Sequence, residues 1–265
     1  MEHYIPHRRR LWLYALSALI LGFLILPTLI VIPMSFSASD ALQFPPRGFS
    51  WRWYEAYLGT PQWRDATLVS LKVSVLTMLL ATPIGTAAAY GLHFGRFRFA
   101  LAVYGSLVAS LMVPVILIAI GVFFLYAKLG LVNTIPGLVL ADVLLAVPFV
   151  LIVVTAGLKS FDANQEMVAR SLGAGRLRAV LGVTLPQIWR SVLAGALFAF
   201  IAAFDEVVIA TLISGGEMAT LTNRMFSSLR DEVDPTIAAI STLLIAVTTI
   251  PPLLGHLMSA RRGRR

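Results

Sequence analysis

A chain of 265 residues that is 58% hydrophobic and only 13% charged, with a mean hydropathy of +0.84, lacks the polar surface that a soluble domain of this size needs. Cysteine is absent, which excludes disulfides and thiolate metal sites, and the four histidines (His3, His7, His93, His256) stand apart without metal-ligand spacing. The formal net charge of +8 invites a nucleic-acid reading, but the basic residues are spread over alternate loops in the manner of a membrane protein.

Crossing the hydrocarbon core takes about 20 apolar residues in a helix. Six runs qualify: Leu11–Pro33, Leu71–Leu92, Ala100–Tyr126, Pro136–Leu158, Val192–Ile213 and Thr236–Met258. The expected fold class is therefore an all-α integral membrane protein, a six-transmembrane-helix bundle forming one domain over residues 1–265. The first run follows Arg8–Arg10 and is longer than the apolar core of a cleaved signal peptide. A retained first span is expected, although small residues stand near Ser37–Ser39.

The long connection Met34–Ser70 carries Trp51, Trp53, Tyr54, Tyr57 and Trp63, aromatic residues suited to an interfacial belt. Pro27, Pro83, Pro114 and Pro148 predict kinks within spans. The short loop Ala127–Ile135 predicts antiparallel neighbours. Lys72 and Lys128, at span ends, read as snorkelling anchors. Arg8–Arg10, Arg96, Arg98, the five basic residues of Lys159–Arg190, and Arg261, Arg262, Arg264 and Arg265 outnumber those of the alternate loops. The positive-inside rule then puts both termini and the Lys159–Arg190 segment in the cytoplasm.

That segment, loop residues 159–191, is the longest polar island between spans with helical patterning. Asp162 and Gln165 have capping-box spacing ahead of a helix over Ala163–Leu172, and Glu166 and Arg170 stand i,i+4. Gly173 falls where a left-handed C-cap is wanted. A second helix over Arg176–Thr184 is expected to break at Leu185-Pro186, ahead of the next span. By pattern alone the island fits either an amphipathic connector lying on membrane lipid or a docking platform.

The spacing goes further. Glu166-Met167-Val168-Ala169-Arg170-Ser171-Leu172-Gly173, nine residues, then Val183-x-Leu185-Pro186 resembles the EAA loop of binding-protein-dependent ABC importer permeases. Ala169, Gly173, Leu185 and Pro186 match in register, Val183 replaces Ile, and Met167 and Val168 stand where the family has Glu and the first Ala, with Glu166 one residue early. The segments Phe49–Tyr54, Ser70–Val73, Leu145-x-x-Pro148-Phe149, Phe204–Val208 and Asp234–Ala239 look like those of spermidine/putrescine-type permease subunits. The resemblance implies a type I ABC importer permease fold in a bacterial inner membrane. It also implies a paired permease subunit, two ATPase subunits that carry ATP-Mg and receive the EAA loop, and an extracytoplasmic substrate-binding protein. The chain contains no G-x-x-x-x-G-K-[ST] loop, so ATP hydrolysis is expected in the partners, and no catalytic residue or cofactor is expected here.

Asp142, Asp205 and Glu206 lie within apolar runs, where a lone charge is costly and often functional. Adjacent Asp205 and Glu206 differ by about 100° around a helix and cannot both face one cavity. These three carboxylates are candidates for a cationic substrate's pathway, or else for helix packing and gating. Readings with another organic cation, an opine, an oxyanion or ferric ion as substrate remain open, as does an ion-coupled secondary transporter using the same acids.

Overall fold

The structure is a computed structural model that describes residues 11–95 and 98–262, with side chains as far as Ile250. The basic positions Arg8–Arg10, Arg96, Arg264 and Arg265, with His3 and His7, lie outside the described residues, and the side chains of His256, Arg261 and Arg262 are likewise not described. In chain order the helices are α1 (Leu11–Ser35), α2 (Arg52–Gly59), α3 (Pro61–Phe94), α4 (Ala100–Ala109), α5 (Val115–Leu129), α6 (Ile135–Lys159), α7 (Ala163–Ser171), α8 (Arg176–Ala179), α9 (Leu185–Asp205), α10 (Val208–Ile213), α11 (Leu221–Asp231) and α12 (Thr236–Arg262). Among the described residues four helices are long and apolar enough to cross a membrane, and the bent pair α4–α5 makes up to five.

One compact unit runs to Pro61 and resumes at Ser227; the other is Gln62–Phe226. In the first, α1 and α2 pack against α12. The connection after α1 folds back on itself: Ala38 N–H donates to Gly48 O (2.9 Å) and Ser50 N–H to Phe36 O (2.7 Å). Trp53 Nε1 donates to Ser37 O (2.9 Å), and Phe36, Trp51 and Tyr54 form an aromatic cluster over it. Trp51 is exposed, whereas Trp63, at the start of the second unit and also expected in an interfacial belt, is buried under Arg224. Helix α1 exposes Leu19, Phe23 and Leu24 around its circumference, a surface that only lipid or another subunit can cover without penalty.

The second unit is built around α6, which contributes buried residues to two apolar clusters. Toward its N-terminal end, Leu138, Val139 and Ala141 pack with Val73, Ala119, Ile209 and Ile213. Toward its C-terminal end, Val150, Leu151, Val154 and Leu158 pack with Ala81, Ala89, Ile188 and Ala199. Small residues let the backbones approach, the usual device where lipid offers no hydrophobic driving force between helices. Lys72 and Lys128 are exposed.

The prolines behave differently from one another. α3 and α6 continue through Pro83 and Pro148. The run expected as one helix over Ala100–Tyr126 is instead two helices bent by 98°, joined through a 3-10 turn at Ser110–Met112. Val113 is extended (φ −74°, ψ 128°), as the residue before a proline prefers, and Pro114 caps α5. At Pro186 the expected break is absent. Leu185 remains helical (φ −59°, ψ −45°), and a π turn over Val180–Thr184 carries α8 into α9. The π turn shifts the bonding by one residue, which accommodates the missing proline N–H and its ring.

The helix expected through Val192–Ile213 is also divided. Glu206 is extended (φ −68°, ψ 121°), which ends α9 and begins α10 two residues on. Asn133, with φ +58°, closes the far end of α10: its N–H donates to Ile213 O (2.7 Å) and its Oδ1 accepts from Gly215 N–H (3.1 Å).

Candidate functional site

Two groups of predicted site residues are resolved in the second unit. The first is Asp162–Thr184. Asp162 caps α7, its Oδ1 accepting from Asn164 N–H at 3.0 Å, as its spacing predicts. Gln165 does not return a capping-box bond; its Oε1 accepts from Gln187 Nε2 on α9. Gly173 takes φ +91°, Gly173 N–H donates to Arg170 O (3.0 Å) and Ala174 N–H to Ala169 O (3.1 Å), the Schellman closure of a helix end. Only glycine adopts that φ without strain.

Glu166 departs from the expected i,i+4 pair with Arg170. It is buried, 7% exposed. Its Oε1 accepts from Tyr90 Oη on α3 (2.6 Å), and its Oε2 from Thr184 Oγ1 at the end of the π turn (2.7 Å). The Arg176 guanidinium lies 5.6 Å from the Tyr90 ring centre. With Glu166 turned inward, the segment exposes apolar side chains among its charged ones: Met167 and Val168 are exposed, and Leu172 and Leu177 are 84% and 73% exposed. Arg170 is exposed, Ala169 and Leu185 are partly buried, and Pro186 is exposed. An open cavity of about 660 Å³ lies between α3 and α8–α9, its walls including Thr82, Thr86, Tyr90, Arg176 and Leu181.

The second group is acidic. Asp142 on α6 is buried, 3% exposed, beside Ala141 in the layer that packs on α10. Asp205 is exposed at the end of α9. The Glu206 carboxylate folds onto the first turn of α10, accepting from the N–H groups of Val208 (2.8 Å), Ile209 (2.9 Å) and Ala210 (3.0 Å). Helix starts leave such donors unpaired, and a carboxylate is their strongest acceptor. The chain then returns through α11, whose Thr222 Oγ1 donates to Glu206 O (3.1 Å) and whose Leu221 N–H donates to Ser70 Oγ on α3 (2.7 Å). Asn223 Nδ2 reaches Ala210 O (3.4 Å) and its Oδ1 accepts from Thr211 Oγ1 (3.2 Å).

Tyr90, Thr184, Ser70 and Asn223 were not singled out from the sequence. Each bonds to a residue 12 or more positions away in the chain, and a lone polar side chain carries no spacing signal for so distant a partner.

A family model described as "Binding-protein-dependent transport system inner membrane component" matches residues 81–264. The chain is 28% identical over 249 residues to the spermidine/putrescine transport system permease protein PotC of Haemophilus influenzae, covering 94% of this chain and 96% of that protein. It is 30% identical over 268 residues to the putrescine transport system permease protein PotI of Escherichia coli K12, covering 98% of this chain and 95% of that one. Among solved structures it superposes with TM-score 0.69 on a chain of a bacterial ABC transporter involved in the import of the acidic polysaccharide alginate, at 17% identity over 98% of this chain and 99% of that chain. A chain of an amino acid ABC transporter matches with TM-score 0.54 and 19% identity, over 80% of this chain and 98% of that one. At those identities the likeness is one of fold.

Proposed function

The chain belongs to the family of binding-protein-dependent transport system inner membrane components, and on that premise we propose that it is one permease subunit of an ATP-driven importer of polyamines such as spermidine or putrescine. The observation that carries the reading is the Asp162–Thr184 segment. It is closed by the Asp162 cap, the Gly173 turn and the Glu166 bonds, while Met167, Val168, Leu172 and Leu177 stay uncovered in the single chain. A membrane connector would turn such residues into the protein or lipid; an ordered apolar ridge on a basic loop suits a soluble partner.

In this reading the bent pair α4–α5 is one span, α9 with α10 is another, and α1, α3, α6 and α12 complete six. Both termini and the Lys159–Arg190 segment face the cytoplasm, following the distribution of basic residues. Two ATPase subunits, holding ATP-Mg, seat the segment around Glu166–Gly173. A paired permease completes the pathway, and an outside binding protein delivers substrate. Closure of the ATPases moves α7, and the movement opens the pathway outward.

The substrate class rests on the relatives' names and on the acids. A carboxylate within a span is costly against lipid, so Asp205, exposed in the single chain, faces the pathway or the paired subunit once assembled. Asp142 lies deeper, and Glu206 is committed to α10. Polyamines are drawn to such a region by Coulomb attraction.

The test is reconstitution of the complete transporter with its own ATPase, paired permease and binding protein in proteoliposomes. Saturable uptake of labelled putrescine or spermidine that needs ATP and the binding protein is expected. A complex that forms and hydrolyses ATP but moves no polyamine overturns the substrate, and a chain that retains no ATPase overturns the assembly.

A further inference from the structure

Burying a carboxylate is unfavourable unless donors meet it. Glu166 meets two, both hydroxyls at the short end of the hydrogen-bond range, and both from other elements: Tyr90 on α3 and Thr184 in the π turn. A helical threonine commonly bonds back to its own helix; fully buried Thr184 instead gives its proton to Glu166. Arg176 lies over Tyr90 and braces the ring.

The covalent route from α7 to α9 passes through Gly173, at φ +91°, and Gly175, a turn with no bulky side chain to stiffen it. A displacement of α7 carried by the backbone alone would be absorbed there. The Glu166 carboxylate bypasses that joint. It links α7 directly to α3 and to the π turn, the turn of the α8–α9 segment whose bonding is most readily rearranged. Both its oxygens are occupied and the side chain is buried, so α7 shows a partner Met167 and Val168 rather than a carboxylate.

We propose that Glu166, Tyr90 and Thr184 form an internal tie that makes α3 and α9 follow α7, and that Glu166 is a positioning residue within this chain rather than a contact for the ATPase. The proposal rests on the reading of Asp162–Thr184 as the ATPase-docking segment.

Tyr90→Phe, Thr184→Val and Glu166→Gln are made in the complete transporter. All three are expected to retain the ATPase on purification. In Tyr90→Phe and Thr184→Val, the maximal rate of uptake should fall about tenfold or more, the scale set by a hydrogen bond to a charged group, while KM for the loaded binding protein stays at the wild-type value. Thr184→Ser, which keeps the hydroxyl, should restore the rate; a merely structural defect from altered packing would not be rescued this way. Wild-type maximal rates in both Tyr90→Phe and Thr184→Val, or loss of the ATPase in Glu166→Gln, would overturn the proposal. A wild-type chain that retains no ATPase would sink the docking reading itself, and the tie with it.

Discussion

Gly157 on α6 and Ser191 on α9 approach so closely that a Cβ built on the glycine would lie 2.3 Å from the serine Oγ. Gly85 on α3 is similarly placed against Val150 on α6, at 2.6 Å from its Cβ. Both contacts join α6 to a neighbour, and neither leaves room for a methyl group.

Gly157→Ala and Gly85→Ala should therefore each destabilise the protein by about 1–3 kcal/mol, the usual cost of overpacking. Gly91→Ala is the control, because nothing lies within 4 Å of its added Cβ, and there the better helix propensity of alanine should leave stability equal or higher. Thermal unfolding followed by circular dichroism in detergent distinguishes them. Equal midpoints for all three variants would contradict the packing described.

These contacts mark where the sequence stops being informative. Gly173 and Asp162 could be read from spacing because a helix end imposes its demands within a few residues. The apolar runs were legible for the same reason, as each is a local length. Pro186 misled because its effect depends on whether the preceding turn can rearrange, and the π turn over Val180–Thr184 does so. Glu166 looked like the partner of Arg170 because i,i+4 spacing is visible, whereas a hydroxyl 76 residues away is not. Glu206, expected inside a continuous span, ends the helix and caps the next, a choice that local propensity does not announce.

The Glu206 cap gives a second prediction. Glu206→Gln keeps one carbonyl oxygen, able to hold the Val208 and Ile209 N–H groups, and should fold and assemble with a small loss. Glu206→Ala leaves three N–H groups of α10 unpaired and should cost about 0.5–2 kcal/mol, as loss of a helix cap does. Assembly yield and unfolding midpoint check the order wild type, Gln, Ala. If Glu206→Gln impairs polyamine uptake with assembly intact, the residue serves the pathway as well; unchanged uptake kinetics leave it a cap alone.

The exposed ridge gives a third. Leu172→Glu and Leu177→Glu alter side chains that touch little in this chain, so the unfolding midpoint should move by less than about 0.5 kcal/mol in stability terms. Placing charge in an apolar interface is costly for binding. The ATPase should be lost on purification, or retained at least tenfold more weakly. Normal retention in the double variant would show that the ridge meets no partner.

Asp205 gives the last. As the exposed acid at the end of α9, it either meets the cation in transit or pairs with the neighbouring permease. The two roles separate kinetically. A carboxylate that attracts the substrate acts on its charge, so Asp205→Asn should raise KM about 5–30-fold, the factor that accompanies one or two kcal/mol. Spermidine, with more amines, should be affected more than putrescine, and added salt should narrow the difference between variant and wild type. A carboxylate that pairs with the neighbouring subunit would instead lower the yield of complex, with KM unchanged and no dependence on the charge of the substrate. Uptake of both polyamines at two ionic strengths, on complexes matched for assembly, decides between them. Under the proposed polyamine pathway the first outcome is expected, since the Glu206 carboxylate is held by α10 and Asp205 is the exposed acid of the two.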